Sequence, residues 1–197
     1  MDKPVGLLTL QGDYDKHRQA FRALGVDTCD VRRPGELAAV SGLVIPGGES
    51  TTLTRLVDRV GLRAPLRAFA REFPVMGTCA GLIMLARELE GERRRDYGVE
   101  PFGVLDCTVI RNGYGRQIDS FTAPIPLQAL DGSTEPFQGV FIRAPRITAT
   151  GPQVEVLAEF EGEPVLIRQG RILGMAFHPE LTDDRRVHRA FLEFVGG

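Results

Sequence analysis

No apolar run in this sequence approaches the roughly 20 residues a membrane-spanning helix needs, and no charged-then-apolar leader opens it. The chain is therefore expected to be neither exported nor membrane-embedded, with a cytoplasmic home. An excess of charge is also missing. The 24 Lys and Arg stand against 26 Asp and Glu, which leaves no footprint for nucleic acid or an anionic membrane. The one basic run, Arg93-Arg94-Arg95, lies between Glu90, Glu92 and Asp96 and reads as a solvated loop. Cysteine is scarce: Cys29, Cys79 and Cys107 are unevenly spaced, cannot make a disulfide framework and show no paired metal-ligand spacing. Low-complexity tracts are absent, so 197 residues with 43% hydrophobic content are expected to fold as one domain over residues 1–197. A chain of that size buries on the order of 70% of its unfolded surface.

What the chain does have is centred on residues 74–85, PVMGTCAGLIML. A short apolar run meets Gly77-Thr78-Cys79-Ala80-Gly81 and passes into an apolar, helix-favouring segment, so a strand, a tight turn carrying a thiol, and a helix are expected. Gly77, Ala80 and Gly81 give the small neighbours that a nucleophile on a sharp turn requires. The helix directs its free N–H groups and positive dipole end at Cys79, which favours thiolate over thiol and predicts a reactive cysteine. The alternative is a buried structural thiol.

The first half alternates strand and helix. Residues 4–10 and 26–32 read as strands around a helix that Asp13 caps and Gly25 ends, with His17 on its charged surface and Cys29 as a packing residue. Residues 42–45 make a third strand that runs into Pro46-Gly47-Gly48-Glu49-Ser50-Thr51-Thr52, where two glycines free backbone N–H groups for a ligand and Ser50 or Thr51 can cap the next helix. Helices follow at 53–60 and 64–73. Such alternation implies a parallel sheet with right-handed crossovers. In an open α/β sheet ligands bind beyond the strands' carboxyl ends, so the Gly47-Gly48 loop and the Cys79 turn should face one crevice.

After Gly91 the texture becomes strands and turns: 104–110, 121–127, 139–142, 154–160, 164–168 and 171–177, with hairpin turns at Glu161-Gly162-Glu163 and Gln169-Gly170. Cys107 alternates as a core position. A final amphipathic helix, 184–195, turns Val187, Phe191, Phe194 and Val195 inward and carries His188 as a packed or surface residue. The expected class is α/β, a three-layer, flavodoxin-like arrangement with a mostly parallel central sheet, flanking helices and added antiparallel strands in the C-terminal half.

The remaining histidine stands in His178-Pro179-Glu180 at a strand end. Pro179 holds His178 extended, and residues two apart in an extended segment share a side, so the Glu180 carboxylate can reach the ring. With Cys79 these make a Cys-His-Glu arrangement in which the ring takes the thiol proton and later protonates a departing nitrogen.

A Gly-x-Cys-x-Gly turn followed distantly by His-Pro-Glu resembles the triad-type glutamine amidotransferases. Further stretches are similar to one branch, the glutaminase subunits of pyridoxal 5′-phosphate synthase: LTLQGDYDKH (8–17), IPGGESTTL (45–53), PVMGTCAGLI (74–83), RNGYGRQIDSF (111–121), VFIRAPRI (140–147) and FHPELTDD (177–184). The resemblance implies hydrolysis of L-glutamine to glutamate and ammonia, without metal or organic cofactor. It also implies delivery of the ammonia to a barrel-shaped synthase subunit, in a large ring assembly, which joins it to ribose 5-phosphate and glyceraldehyde 3-phosphate. Carried over residue by residue, it puts glutamine contacts on Gly47, Gly48, Glu49, Ser50, Arg111, Ile142 and Arg143, and the oxyanion donors on Gly48 and Ala80. Arg111 or Arg143 would hold the carboxylate, and Glu49 or a carbonyl the ammonium. The competing expectations are a Cys-His hydrolase of peptides or γ-glutamyl compounds, a glutaminase of another pathway, and a non-catalytic partner-binding module.

Overall fold

The computed structural model describes residues 3–91, 98–114 and 120–196. The Arg93-Arg94-Arg95 run lies outside these residues, as do 115–119 of the RNGYGRQIDSF stretch. In chain order the elements are β1 (Val5–Leu8), α1 (Tyr14–Ala23), β2 (Thr28–Val31), β3 (Gly42–Ile45), α2 (Ser50–Arg59), α3 (Arg63–Glu72), β4 (Val75–Thr78), α4 (Ala80–Leu85) and β5 (Ala86–Leu89). Then come β6 (Leu105–Ile110), β7 (Ser120–Ile125), α5 (Gln128–Asp131), β8 (Phe137–Ile142), β9 (Arg146–Thr150), β10 (Glu155–Phe160), β11 (Glu163–Gln169), β12 (Ile172–Met175) and α6 (Arg186–Gly196). Short 3₁₀ turns occupy Pro34–Ala39 and Pro179–Leu181.

Seven strands form the central sheet in the order β10-β11-β12-β4-β3-β1-β2. The pairs from β2 to β12 are all parallel, and β11 and β10 extend the sheet antiparallel. Helices flank this mostly parallel sheet, as the strand and helix alternation of the first half implies. The inner strands are continuous apolar runs because both faces are covered: every residue of β1, β3, β4 and β12 is buried. Smaller sheets, β5-β6-β9 and β7-β8, come from the second half apart from β5, which directly follows α4. The β10–β11 hairpin turns at Glu161 (φ 52°) and Gly162 (φ 79°), the paired positive φ values of a type I′ turn.

Several expectations are corrected. β5 and β9 were not expected; each is short, and β9 buries only Ile147, its second residue, so no alternation marks it. The expected strand at 171–177 pairs with β4 only as far as Met175. Beyond it, Ala176 N–H donates to Val165 O at 2.9 Å and His178 N–H to Val140 O at 2.8 Å, so the chain leans from the sheet toward β8. Asp13 begins α1 by position but makes no side-chain cap. The cap of α2 is neither Ser50 nor Thr51 but the Glu49 carboxylate, which accepts from Thr52 N–H at 2.9 Å and from its hydroxyl at 3.0 Å.

The largest correction is His17. It is not on the surface but wholly buried, with its ring against that of His188, itself packed edge-on to Phe21. The helical stripe turns because Ala20, Phe21 and His17 all face the sheet. Cys107 is in the core as expected, where burial pushes its thiol up to about 12 and keeps it unreactive at neutral pH. Cys29 is half-buried on β2, also raised by burial.

The small residues around Cys79 serve packing more than access to the sulfur. A Cβ on Gly81 would stand 2.1 Å from the Ile45 carbonyl oxygen, and one on Gly77 2.5 Å from Leu85 Cδ1 and 2.7 Å from Gly81 C, so α4 lies directly on β3 and β4. Gly81→Ala is expected to lower unfolding free energy by about 2 kcal/mol or more, because backbone must move. Gly35→Ala, with open space around its position, should change it by less than about 0.5 kcal/mol. Denaturant titration of the two variants checks the difference.

Candidate active site

The carboxyl ends of β1, β3, β4 and β12 converge on one cavity of about 300 Å³. Its walls bring together Gly48, Glu49, Ser50, Cys79, Arg111, Ile142, Arg143 and His178, all singled out from the sequence. Gln11, Asp13, Ile83 and Asn112 also line it. The sequence reading missed these four as site residues, taking Asp13 as a helix cap. The signal was there in the LQGD stretch, which directly follows the first strand.

Cys79 occupies the bend between β4 and α4 with φ 47° and ψ −100°, a conformation that non-glycine residues adopt only when the surroundings impose it. Two bonds impose it here: Cys79 N–H donates to Met175 O at 2.9 Å, and Cys79 O accepts from Ile83 N–H at 3.2 Å. The bend lifts the sulfur into the cavity, where Sγ lies 3.8 Å from the Ile142 carbonyl oxygen. Asn112 (φ 50°) and Arg143 (φ 44°) are strained in the same sense, so positive φ values gather at this cavity.

His178 reaches the sulfur from the end of β12. Its backbone is extended, as Pro179 requires, but Glu180 arrives by a different route from the one expected. The Pro179–Leu181 segment is a 3₁₀ turn, and it swings Glu180 back so that Oε1 accepts from His178 Nδ1 at 2.7 Å. Both side chains are almost fully buried, Glu180 behind the ring and away from the opening. Gly47 is required by the same ring: a Cβ there would sit 2.3 Å from His178 Cε1. Gly12 (φ 103°) lies so close to Gly47 O that a Cβ would meet it at 1.9 Å, which fixes the β1 and β3 loops against each other.

Burial by itself would lower the pKa of His178. Hydrogen bonds to Cys79 and Glu180 and the charge of both groups outweigh it and push the value up to about 10. Burial would raise Glu180, but His17 and His178 hold it below the usual carboxylate range. The pair is therefore an imidazolium and a carboxylate at neutral pH, with one ring N–H on Glu180 and the other directed at the sulfur. Such an arrangement can present a nucleophilic sulfur and return a proton to a leaving group.

The opposite wall carries charges suited to a small zwitterion. Arg111 donates to Thr51 Oγ1 at 3.2 Å and lies 3.7 Å from Glu49 Oε1. Burial would raise the Glu49 carboxyl, but its bonds from Thr52 and Thr51 and the charge of Arg111 lower it, so it is ionised. Glu49 N–H also donates to Gln11 Oε1 at 3.0 Å, tying the double-glycine loop to the end of β1. Ala80 is the first residue of α4, so its N–H has no helical carbonyl to bond. Among the described residues one group of potential metal ligands comes together, Asp13 with His178 and Glu180, their ligand atoms within 4.8 Å of one another. His178 Nδ1 and Glu180 Oε1 satisfy each other at 2.7 Å, so the chemistry of this donor set is that of an acid and base pair.

With three histidines in the chain, labelled-imidazole NMR can read each protonation state. His178 is expected to remain charged at pH 8, while His17 and His188, both lowered chiefly by burial, are neutral. Because the folded value of His178 lies above 6.5, its contribution to stability is complete below that pH and is lost as pH rises through about 10. The stability gap between wild type and His178→Gln should shrink over that interval; a His178 titrating below pH 7 would contradict the arrangement.

The profile of the SNO glutamine amidotransferase family matches residues 7–196. A pyridoxal 5′-phosphate synthase subunit PdxT from Desulforudis audaxviator is 48% identical over 192 residues, covering 97% of this chain and 98% of that protein. One of the same name from Deinococcus radiodurans is 50% identical over 193 residues, covering 98% and 97%. A crystal structure of a glutamine amidotransferase superposes with a TM-score of 0.89 at 42% identity, covering 98% of this chain and 99% of that one. The cavity at the carboxyl ends of the parallel strands thus sits in a fold and a sequence shared from end to end with these proteins, and the chain belongs to the SNO glutamine amidotransferase family.

Proposed function

We propose that this chain is the glutaminase subunit of a pyridoxal 5′-phosphate synthase, hydrolysing L-glutamine to L-glutamate and ammonia and passing the ammonia to a synthase subunit. The observation that carries the reading is the meeting of Cys79, on its strained bend, with His178 in one cavity, the ring backed by the buried Glu180 carboxylate. Membership of a glutamine amidotransferase family and relatives named as synthase subunits support the substrate and the pathway.

In this reading Arg111 or Arg143 receives the glutamine carboxylate and Glu49 or a loop carbonyl its ammonium, while Gly47, Gly48, Ser50 and Ile142 enclose the chain. The Cys79 sulfur attacks the side-chain amide carbon, and the carbonyl electrons move to oxygen. Backbone N–H groups of Gly48 and Ala80 receive that oxyanion; loss of one such donor typically costs about a hundred- to a thousandfold in rate. The C–N bond breaks as His178 gives its proton to the departing nitrogen, leaving a glutamyl thioester and ammonia. Water, deprotonated by His178, then cleaves the thioester and restores the sulfur. Glu180 keeps the ring oriented and stabilises its charge throughout.

Ammonia released into solvent would be lost to the synthase, so low activity of the free chain and activation on docking fit the chemistry. The double glycine is the natural place for that switch, with Gly48 at φ 153° and packed on the Gln11 side chain. A place in the cytoplasm accords with the absence, among the described residues, of a helix long and apolar enough to cross a membrane.

Ammonia release from glutamine tests the reading, measured for wild type and Cys79→Ala, each alone and with the synthase subunit. Wild type with its partner is expected to be active and wild type alone weakly so. Cys79→Ala should fall by at least about a thousandfold in both conditions. Ammonia release that survives in Cys79→Ala would refute the nucleophile, and equal rates with and without partner would refute the coupling.

A further inference from the structure

Behind His178 lies a pair of histidines that the proposed chemistry leaves unused. His17 on α1 and His188 on α6 are both fully buried, and Nδ1 of His17 stands 3.0 Å from Nε2 of His188. The other nitrogen of His17, Nε2, is 3.4 Å from Glu180 Oε2 and 3.4 Å from Oγ1 of Thr78, the residue before Cys79. Glu180 Oε2 makes no well-formed hydrogen bond, the His17 ring at 3.4 Å being within ion-pair distance only, and Nδ1 of His188 makes none either. One buried point thus joins α1, α6, the end of β4 and the His-Pro-Glu turn.

The partners decide where the protons are. Burial keeps both rings neutral, so each carries one N–H. The charged and titratable groups facing them are Glu180 and His178 from the turn, Asp13 from the start of α1, and Arg185 beside α6. A proton on Nδ1 of His17 would turn its Nε2 lone pair toward the Glu180 carboxylate. It would also leave the Nδ1–H of His188 buried without an acceptor, the more costly kind of orphan. With both protons on Nε2, His188 donates to His17, and the His17 N–H is directed at Thr78 Oγ1, its hydrogen-bond partner, with the Glu180 Oε2 charge also 3.4 Å from that nitrogen. The group this leaves over on the two rings is the Nδ1 lone pair of His188, not a buried N–H.

We propose that His17 is a positioning residue for the Cys79, His178 and Glu180 set: its Nε2–H holds Oε2 of Glu180 so that Oε1 stays on His178 Nδ1, and His188 selects the tautomer that makes this possible. A carboxylate held at one oxygen only can swing about its last bond. Held at both, it fixes the plane of the imidazole that faces the sulfur. The activity arm of the test rests on the glutaminase reading; the tautomer arm does not.

Two measurements decide the matter. In ¹⁵N-imidazole spectra at neutral pH, His17 and His188 are expected neutral with the proton on Nε2, and a proton on Nδ1 of His17 overturns the proposal. In ammonia release with the synthase subunit present, His17→Leu is expected to lower kcat on the order of tenfold, as loss of an orienting partner does elsewhere. KM for glutamine should stay within about twofold, since His17 does not reach the cavity. His17→Gln, whose amide N–H reaches the ε position, should restore most of kcat, whereas His17→Asn, reaching only the δ position, should not. Unchanged kcat in His17→Leu, or equal rescue by Asn and Gln, overturns the proposal. Melting temperatures identify a variant that fails to fold; should His17→Leu be one, the Gln and Asn comparison and the tautomer remain decisive. A wild type that releases no ammonia would sink the glutaminase reading, and the tautomer would still decide this one.

Discussion

The hydrogen bond from His178 Nδ1 to Glu180 Oε1, 2.7 Å long and buried, is the interaction on which the cavity depends. A charged carboxylate this deep is tolerable only when it is paired, and a charged imidazole this deep only when its protons are accepted. Each group makes the other possible. The raised value of the ring and the lowered value of the carboxyl are two views of the same stabilisation. The pair in turn needs the backbone to leave β12 toward β8, which the bond from His178 N–H to Val140 O enforces.

Close packing of backbone on backbone supplies the rest. Gly81 lets α4 rest on the Ile45 carbonyl, Gly47 admits the His178 ring, and Gly12 lets the loops after β1 and β3 touch. These are contacts across strands distant in sequence, and side chains at any of the three would push the sulfur, the ring and the double-glycine loop apart. The strain at Cys79 is held by bonds on both sides of the bend, so the cost of its positive φ is met by the sheet. The site is therefore a property of how the strand ends meet rather than of any one loop.

The histidines separate local from distant information. His178 was legible because its neighbours Pro179 and Glu180 are adjacent in the chain and restrict it directly. His17 was not: it lies in a charged stretch, between Lys16 and Arg18, and its local sequence describes a surface. Its burial is decided by His188, 171 positions away, and by a carboxylate oxygen that no sequence pattern connects to it. Asp13 failed in the opposite sense, since a good helix cap by residue type and position turns its side chain to the cavity instead.

The amino-acid sequence by itself determined the class of fold, the strand-bend-helix that carries Cys79, the glycine loop, and the pairing of His178 with Glu180. All of these follow from periodicity and from neighbours within a few residues, where propensity and backbone sterics act. The tertiary structure alone decided that the cap of α2 is Glu49, that Gln11 and Asp13 join the cavity, that Gly77 and Gly81 are packing residues, and that two further histidines stand behind the carboxylate. Those outcomes depend on desolvation and on distances of a few ångströms between segments far apart in the chain, and such terms exist only once the sheet has closed around them.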